Sequence, residues 1–208
     1  MRMDDCLRLT ELVCARLCHD LSGLLGSLVG TLELVTEASE DTEAASIATD
    51  TATALALRLK LLRAAWGGQP EPLDLPQLIA LARGLATHRV GLDVSSLPAT
   101  TVFPPAVGRL VLNLLLLAAE SLPQGGVLRL DGGSTDVIAR LNGPSAAWPA
   151  GLIDMLHDAA SAWQALADPR TVQAPLTALL VRHLGLRLTV LLPSGPPTTA
   201  PPLRLTVG

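Results

Sequence analysis

The stretch ARLCHDLSGLLGSLVGTLELV, residues 15–35, decides how the amino-terminal third of the chain folds. Leu17, Leu21, Leu24, Leu28 and Val35 recur at three- and four-residue steps, which is the signature of one apolar stripe on a long helix spanning about Asp4 to Ala38. At about 100° per residue that stripe lies roughly opposite His19, so the imidazole is expected to face water. Arg16, Gly23, Gly26 and Gly30 fall near the His19 face. Each glycine inside a helix costs about 0.5–1 kcal/mol relative to alanine. Three of them on one stripe are hard to justify by stability and fit a large surface that approaches the helix closely. The pattern also admits an ordinary surface histidine with glycines used in helix packing.

Outward from this helix, the polar stretch SEDTE (39–43) turns the chain, and Ile47, Ala54, Leu55, Leu61, Leu62 and Ala65 continue a second helix to Trp66. A lone helical hairpin with a wide apolar stripe leaves that stripe wet, so a second copy completing a four-helix bundle across a homodimer is expected. The run GGQPEP (67–72) reads as a linker. The expected domains are therefore a hairpin over 1–68 and a second unit over 73–208.

The second unit alternates short elements. Residues 76–89 read as a helix, 91–97 as a strand, 104–122 as a buried helix opened by proline, 125–143 as a hairpin around a Gly-rich turn and 178–185 as helical. LRLTVLLP and PPLRLTVG close the chain as paired strands. The fold class is α+β, with the carboxy-terminal half an α/β sandwich carrying strands on one side and helices on the other.

Composition narrows the function. Hydrophobic residues make up 49% of the 208 positions and aromatics only 2%, so the core is built from Leu, Ala and Val. The net charge is −4 with no basic run, which argues against a nucleic-acid partner. The amino terminus, MRMDDCLRLTE, has acids where a signal peptide needs basic and then apolar residues. The longest apolar run identified, LVLNLLLLAA (110–119), falls short of the ~18 residues of a membrane span. A cytoplasmic protein with no membrane partner is expected. Cys6, Cys14 and Cys18 are odd in number and share one helix, which suits reduced, half-buried thiols. His19 points away from Cys14, so these residues are not read as a metal site. His88, His157 and His183, like the scattered Trp66, Trp148 and Trp163, read as structural or surface residues.

An exposed, neutral imidazole offers a ring nitrogen that can attack phosphorus and later return the phosphoryl group. Asp20 is placed to orient the ring or handle a proton, and Arg16 to offset phosphate charge.

Residues 15–35 resemble the H-box of two-component histidine kinases, and more closely the ChpT-type histidine phosphotransferases, whose motif runs through CHDL to a Gly-Leu-Glu-Leu ending. RLKLLRAAWGG (58–68) resembles that family's second-helix ending. The resemblance implies that His19 is the phospho-acceptor and Asp20 its neighbouring acid. Leu24 stands where the H-box usually has proline. LNLLLLAAESLPQGGVLRL (112–130) resembles the N-box of a Bergerat-type ATP-binding domain, with Asn113 in place of its first Asn. Leu117 replaces the magnesium-holding Asn there, and Glu120 the usual Lys. IARLNGPSA (138–146) resembles the Asp-x-Gly-x-Gly box, with Leu141 for the adenine-binding Asp and Ser145 for the second Gly. TVQAPLTALL (171–180) has no glycine to form a phosphate lid.

The resemblance thus implies a degenerate ATPase-like domain with no cofactor of its own and no autokinase activity. His19 would carry phosphate between the receiver domain of a hybrid histidine kinase and that of a response regulator, with Mg2+ supplied by the receiver. Gly23, Gly26 and Gly30 would form the docking face. Two other readings compete: a non-catalytic dimeric adaptor that binds receivers, and a degenerate ATP-binding protein related to chaperones or topoisomerases.

Overall fold

The computed structural model describes residues 3–37, 42–192 and 200–208. Helix α1 (Met3–Glu37) opens with Asp4 and Asp5 in its first turn, where acids meet the positive end of the helix dipole. Helix α2 (Thr42–Trp66) packs along it and buries Ala48, Arg58, Leu61, Leu62 and Ala65. Leu61 and Ala65 are fully enclosed in the main core, and Leu17 and Leu21 of α1 pack against that core from outside. Residues 39–41 of the expected turn lie outside the described residues.

After the linker, β1 (Leu73–Asp74) pairs antiparallel with β3 (Val102–Phe103). Between them lie α3 (Leu75–Ala82), a 3-10 segment over Arg83–His88, and β2 (Val90–Asp93). A capping box starts α3: the Asp74 side chain accepts from the Gln77 backbone N–H, and the Gln77 side chain accepts from Asp74 N–H. Helix α4 (Pro105–Ser121) follows, then β4 (Gly126–Gly132) and β5 (Asp136–Asn142). Short helices α5 (Leu152–His157) and α6 (Ala159–Gln164), a 3-10 turn at Pro169–Thr171, α7 (Gln173–His183), β6 (Leu186–Val190) and β7 (Leu203–Val207) complete the chain.

The main sheet has the order β2-β4-β5-β7-β6, with β2 parallel to β4 and the remaining pairs antiparallel. Alternation along the strands sets its two faces. Leu128 and Leu130, Val137, Ala139 and Leu141, and Leu203 and Leu205 are buried on one face. On the other, Arg129 and Arg140 share Asp131, and Arg204 holds Asp136. Helix α4, with Arg109 and Glu120 as its charged residues, is sunk in the core between the sheet, α7 and the end of α2. The α+β architecture and the hairpin at 125–143 match the sequence reading.

Several boundaries differ, for local reasons. The strand expected over 91–97 stops at Asp93, whose carboxylate accepts the Ser95 N–H and turns the chain. The helix expected over 76–89 tightens to 3-10 geometry from Arg83, where Gly84 meets α2. A Cβ at Gly84 would lie 2.7 Å from the Leu57 carbonyl oxygen, so the two backbones touch there. Helix α7 starts at Gln173 rather than Ala178, anchored by the Thr177 hydroxyl donating to the Gln173 carbonyl. Helices α5 and α6 span six residues each, too short to show a helical period.

Two further readings are corrected. Met3–Val35 contains an 18-residue window of mean hydropathy 1.4, long and apolar enough by length and composition to cross a membrane. It holds no unbroken apolar run of that length, because His19, Asp20 and the glycines interrupt the leucines. Of the three free thiols, Cys6 is half-buried but Cys14 and Cys18 are exposed, since both lie off the stripe that α2 covers.

Candidate functional site

His19 sits midway along α1 with 61% of its side chain exposed. Its Nδ1 edge lies 3.5 Å from Oδ1 of Asp20, long for a hydrogen bond, so Asp20 flanks the ring and leaves the opposite, Nε2 edge to solvent. Gly23, Gly26 and Gly30 follow on the same side of the helix. A Cβ at any of the three would have no heavy atom of another element within 4 Å, so the glycines pack against no other element among the described residues. The face beside the ring is open.

Asp20 is the hub of an ionic cluster. Arg16 donates from Nε to its Oδ1 at 2.8 Å, and Arg58 of α2 donates from Nη2 to its Oδ2 at 2.5 Å. Burial pushes the Asp20 carboxyl up, but Arg58 and Arg16 together hold it on balance below its ordinary value. Arg16 reaches further. Its Nη1 donates to Glu120 of α4 at 2.7 Å and to the Arg170 carbonyl in the 3-10 turn at 2.9 Å. For Glu120 burial outweighs the pull of Arg16, and its carboxyl is raised above the ordinary value.

The sequence reading assigned Arg16 to offset phosphate charge. Instead its side chain is 13% exposed and bound to Asp20, Glu120 and a backbone carbonyl, because the long side chain bends away from the His19 face toward the second domain. Arg58 escaped the sequence reading. It is buried, with Nη1 lacking a hydrogen-bond partner among the described residues, and it fixes Asp20 from the other helix. A signal existed: Arg58 falls in phase with Ala54, Leu61 and Ala65, putting a charge on the buried stripe of α2.

The positions compared with nucleotide boxes have other roles. Leu117 is fully buried and Leu141 nearly so, both within the hydrophobic core. Glu120 is tied to Arg16. Ser145 keeps a left-handed backbone, φ 55°, the conformation a glycine would supply there. Asn113, buried in α4, donates from Nδ2 to the carbonyls of Ala65 and Arg109 and accepts from Gln173 through Oδ1, which joins α4 to the end of α2 and to α7. His157 and His183 are exposed at helix ends, and the His88 side chain lies outside the described residues. The Trp148 indole N–H donates to the Pro201 carbonyl at 2.7 Å, as a packing anchor does. Among the described residues no group of three or more His, Cys, Asp or Glu is placed to hold a metal ion.

Comparison with known proteins places the chain in a family. The chain is 27% identical over 194 residues to protein phosphotransferase ChpT of Brucella abortus (strain 2308), covering 88% of this chain and 90% of that protein. A bacterial phosphotransferase solved at 1.7 Å superimposes with a TM-score of 0.71 at 22% identity, covering 96% of this chain and 95% of the other, which supports a shared fold. Residues 75–194, more than half of the chain, match the family model described as the histidine phosphotransferase C-terminal domain. Because that match covers more than half of the chain and the ChpT relative aligns over most of its length, the chain belongs to the ChpT-type histidine phosphotransferases.

Proposed function

We propose that this protein relays a phosphoryl group from the receiver aspartate of a hybrid histidine kinase to the receiver aspartate of a response regulator through a phosphohistidine at His19. The observation that carries the reading is the exposed ring with one edge flanked by Asp20 and the other open beside the glycine face. In the forward step the Nε2 lone pair attacks phosphorus, the bond from phosphorus to the aspartyl oxygen breaks, and its electron pair returns to that carboxylate. The ring then carries phosphoryl on Nε2 and a proton on Nδ1, a cation that the ionised Asp20 favours. Transfer onward reverses the step at a second receiver.

Magnesium in this reading belongs to the receiver. Asp20 is already held by two guanidinium groups, which disfavours it as a ligand for a divalent cation. Autokinase activity has no place here, because core leucines stand where magnesium and adenine ligands are needed and Glu120 is engaged with Arg16. The proposed docking face is the stripe of Gly23, Gly26 and Gly30.

The wheel of α1 supports a homodimer. The stripe of Leu17, Leu24 and Leu28 turns inward, half-buried, whereas Leu25, Val29 and Leu32 form a neighbouring stripe about 80–100° further round that is roughly half exposed. Covering it with the same stripe of a second copy completes a four-helix bundle and leaves the His19 face free. Free cysteines and receiver partners fit the cytoplasm.

The test is incubation with a receiver carrying aspartyl phosphate, comparing wild type with His19→Ala. We expect acid-labile label on the wild-type chain and none on the variant. Unchanged transfer by His19→Ala would overturn the relay, and receiver binding without transfer by wild type would leave the adaptor. Tight Mg-ATP binding by calorimetry would overturn the loss of the nucleotide site.

A further inference from the structure

We propose that Arg58 and Glu120 are positioning residues of the transfer site: from α2 and from α4 they fix Asp20 and Arg16, so that Asp20 faces the Nδ1 edge of His19 and the Nε2 edge is presented to the phosphoryl donor. The inference rests on the relay reading and adds to it a role for the second domain.

The geometry is a chain of contacts. Oδ1 of Asp20 lies 3.5 Å from the ring and accepts Arg16 Nε at 2.8 Å. A carboxylate held from one side only could swing about its χ2, so its position beside the ring depends on the second oxygen, which Arg58 grips at 2.5 Å. Arg58 itself is buried and packed, hence fixed. Arg16 would otherwise be free to follow solvent, but its Nη1 is anchored to Glu120 and to the Arg170 carbonyl. Arg170 is in turn set by Asp168, whose side chain accepts its backbone N–H at 2.8 Å.

Neither arginine is available to contact phosphate without abandoning this cluster. Their part is therefore exerted through Asp20. An orienting carboxylate decides which ring nitrogen carries the proton and which keeps its lone pair. With Asp20 at Nδ1, the Nδ1–H tautomer is favoured and Nε2 is the nucleophile. Misplacing the carboxylate by about 1 Å is enough to lower a transfer rate by about 10- to 100-fold.

The test combines 15N NMR of the His19 ring in the free, full-length protein with the rate of label transfer from a phosphorylated receiver. Wild type should show the Nδ1–H tautomer in the majority. Arg58→Ala should shift the population toward Nε2–H and slow transfer about tenfold or more, and Arg58→Lys should recover part of both by restoring the charge. Glu120→Gln, nearly isosteric, should produce a smaller shift in the same direction and a loss of about three- to tenfold. If Arg58→Ala does not fold, Glu120→Gln and Arg58→Lys carry the test. Wild-type tautomer populations in the folded variants, or wild-type transfer rates, overturn the proposal. The tautomer is read without any receiver, so a wild-type chain that shows the expected tautomer and its shifts but accepts no phosphate refutes the relay and not the positioning.

Discussion

At the scale of single residues, the site is governed by two carboxyls shifted in opposite directions. Asp20 sits below its ordinary value, so its contribution to stability is fully present above the unfolded value and is lost as pH falls through the folded one. Glu120 sits above its ordinary value because burial dominates, so its ionisation weighs against folding as pH rises through the folded value. On acidification Glu120 should protonate first and release Arg16 from α4 while Asp20 is still ionised. Carboxyl 13C titration by NMR checks the order, and Asp20 protonating before Glu120 would contradict it. Asn113 is the other demanding position. Asn113→Ala removes the donor to two carbonyls and one of the acceptors of the Gln173 amide, and should cost about 1–3 kcal/mol by urea unfolding. His19 and Asp20 were legible in sequence because both lie in one short motif. The engagement of Arg16 with Glu120 was not, since the two are 104 positions apart.

At the scale of elements, α1 divides its circumference three ways: one stripe against α2, one uncovered apolar stripe, and the face of His19 with its glycines. The glycines give the clearest test. Gly26→Ala places a methyl in open space and should stabilise the helix by about 0.5–1 kcal/mol in thermal melts, while weakening binding of the receiver that the glycine face is proposed to admit. A gain in stability with unchanged receiver affinity would remove Gly26 from the docking face. Gly84→Ala should do the reverse, costing about 1–3 kcal/mol, because its Cβ would collide with the Leu57 carbonyl and Leu61 Cβ. The two glycines look alike in sequence, both inside helical patterns. One faces solvent and the other lies where two backbones meet.

At the scale of the whole molecule, the hairpin and the sheet domain are joined at several places, the Gly84–Leu57 approach among them. Near the end of α2, Leu61, Leu62 and Ala65 enter the common core and Arg109 donates to the carbonyls of Ala65 and Trp66. Beside His19, the joint is the Arg16–Glu120 pair and the Arg170 carbonyl. The remaining apolar surface of α1 is where assembly is proposed. Sedimentation equilibrium should give a homodimer, and Val29→Glu, which puts a charge on the uncovered stripe, should shift it toward monomer without loss of helix by circular dichroism. A wild-type monomer at all concentrations would remove the four-helix bundle.

The sequence by itself determined the hairpin, the strand pairs at 126–142 and 186–207, the buried α4 and the histidine on an open face. All of these rest on local periodicity or on residue identity at one position. The tertiary structure alone decided where the charges go. A sequence shows that Arg16, Arg58, Asp20 and Glu120 exist, but pairing is chosen by which side chains folding removes from water together. A buried charge is tolerated only beside its opposite, so packing α1, α2 and α4 around one core joined these four residues.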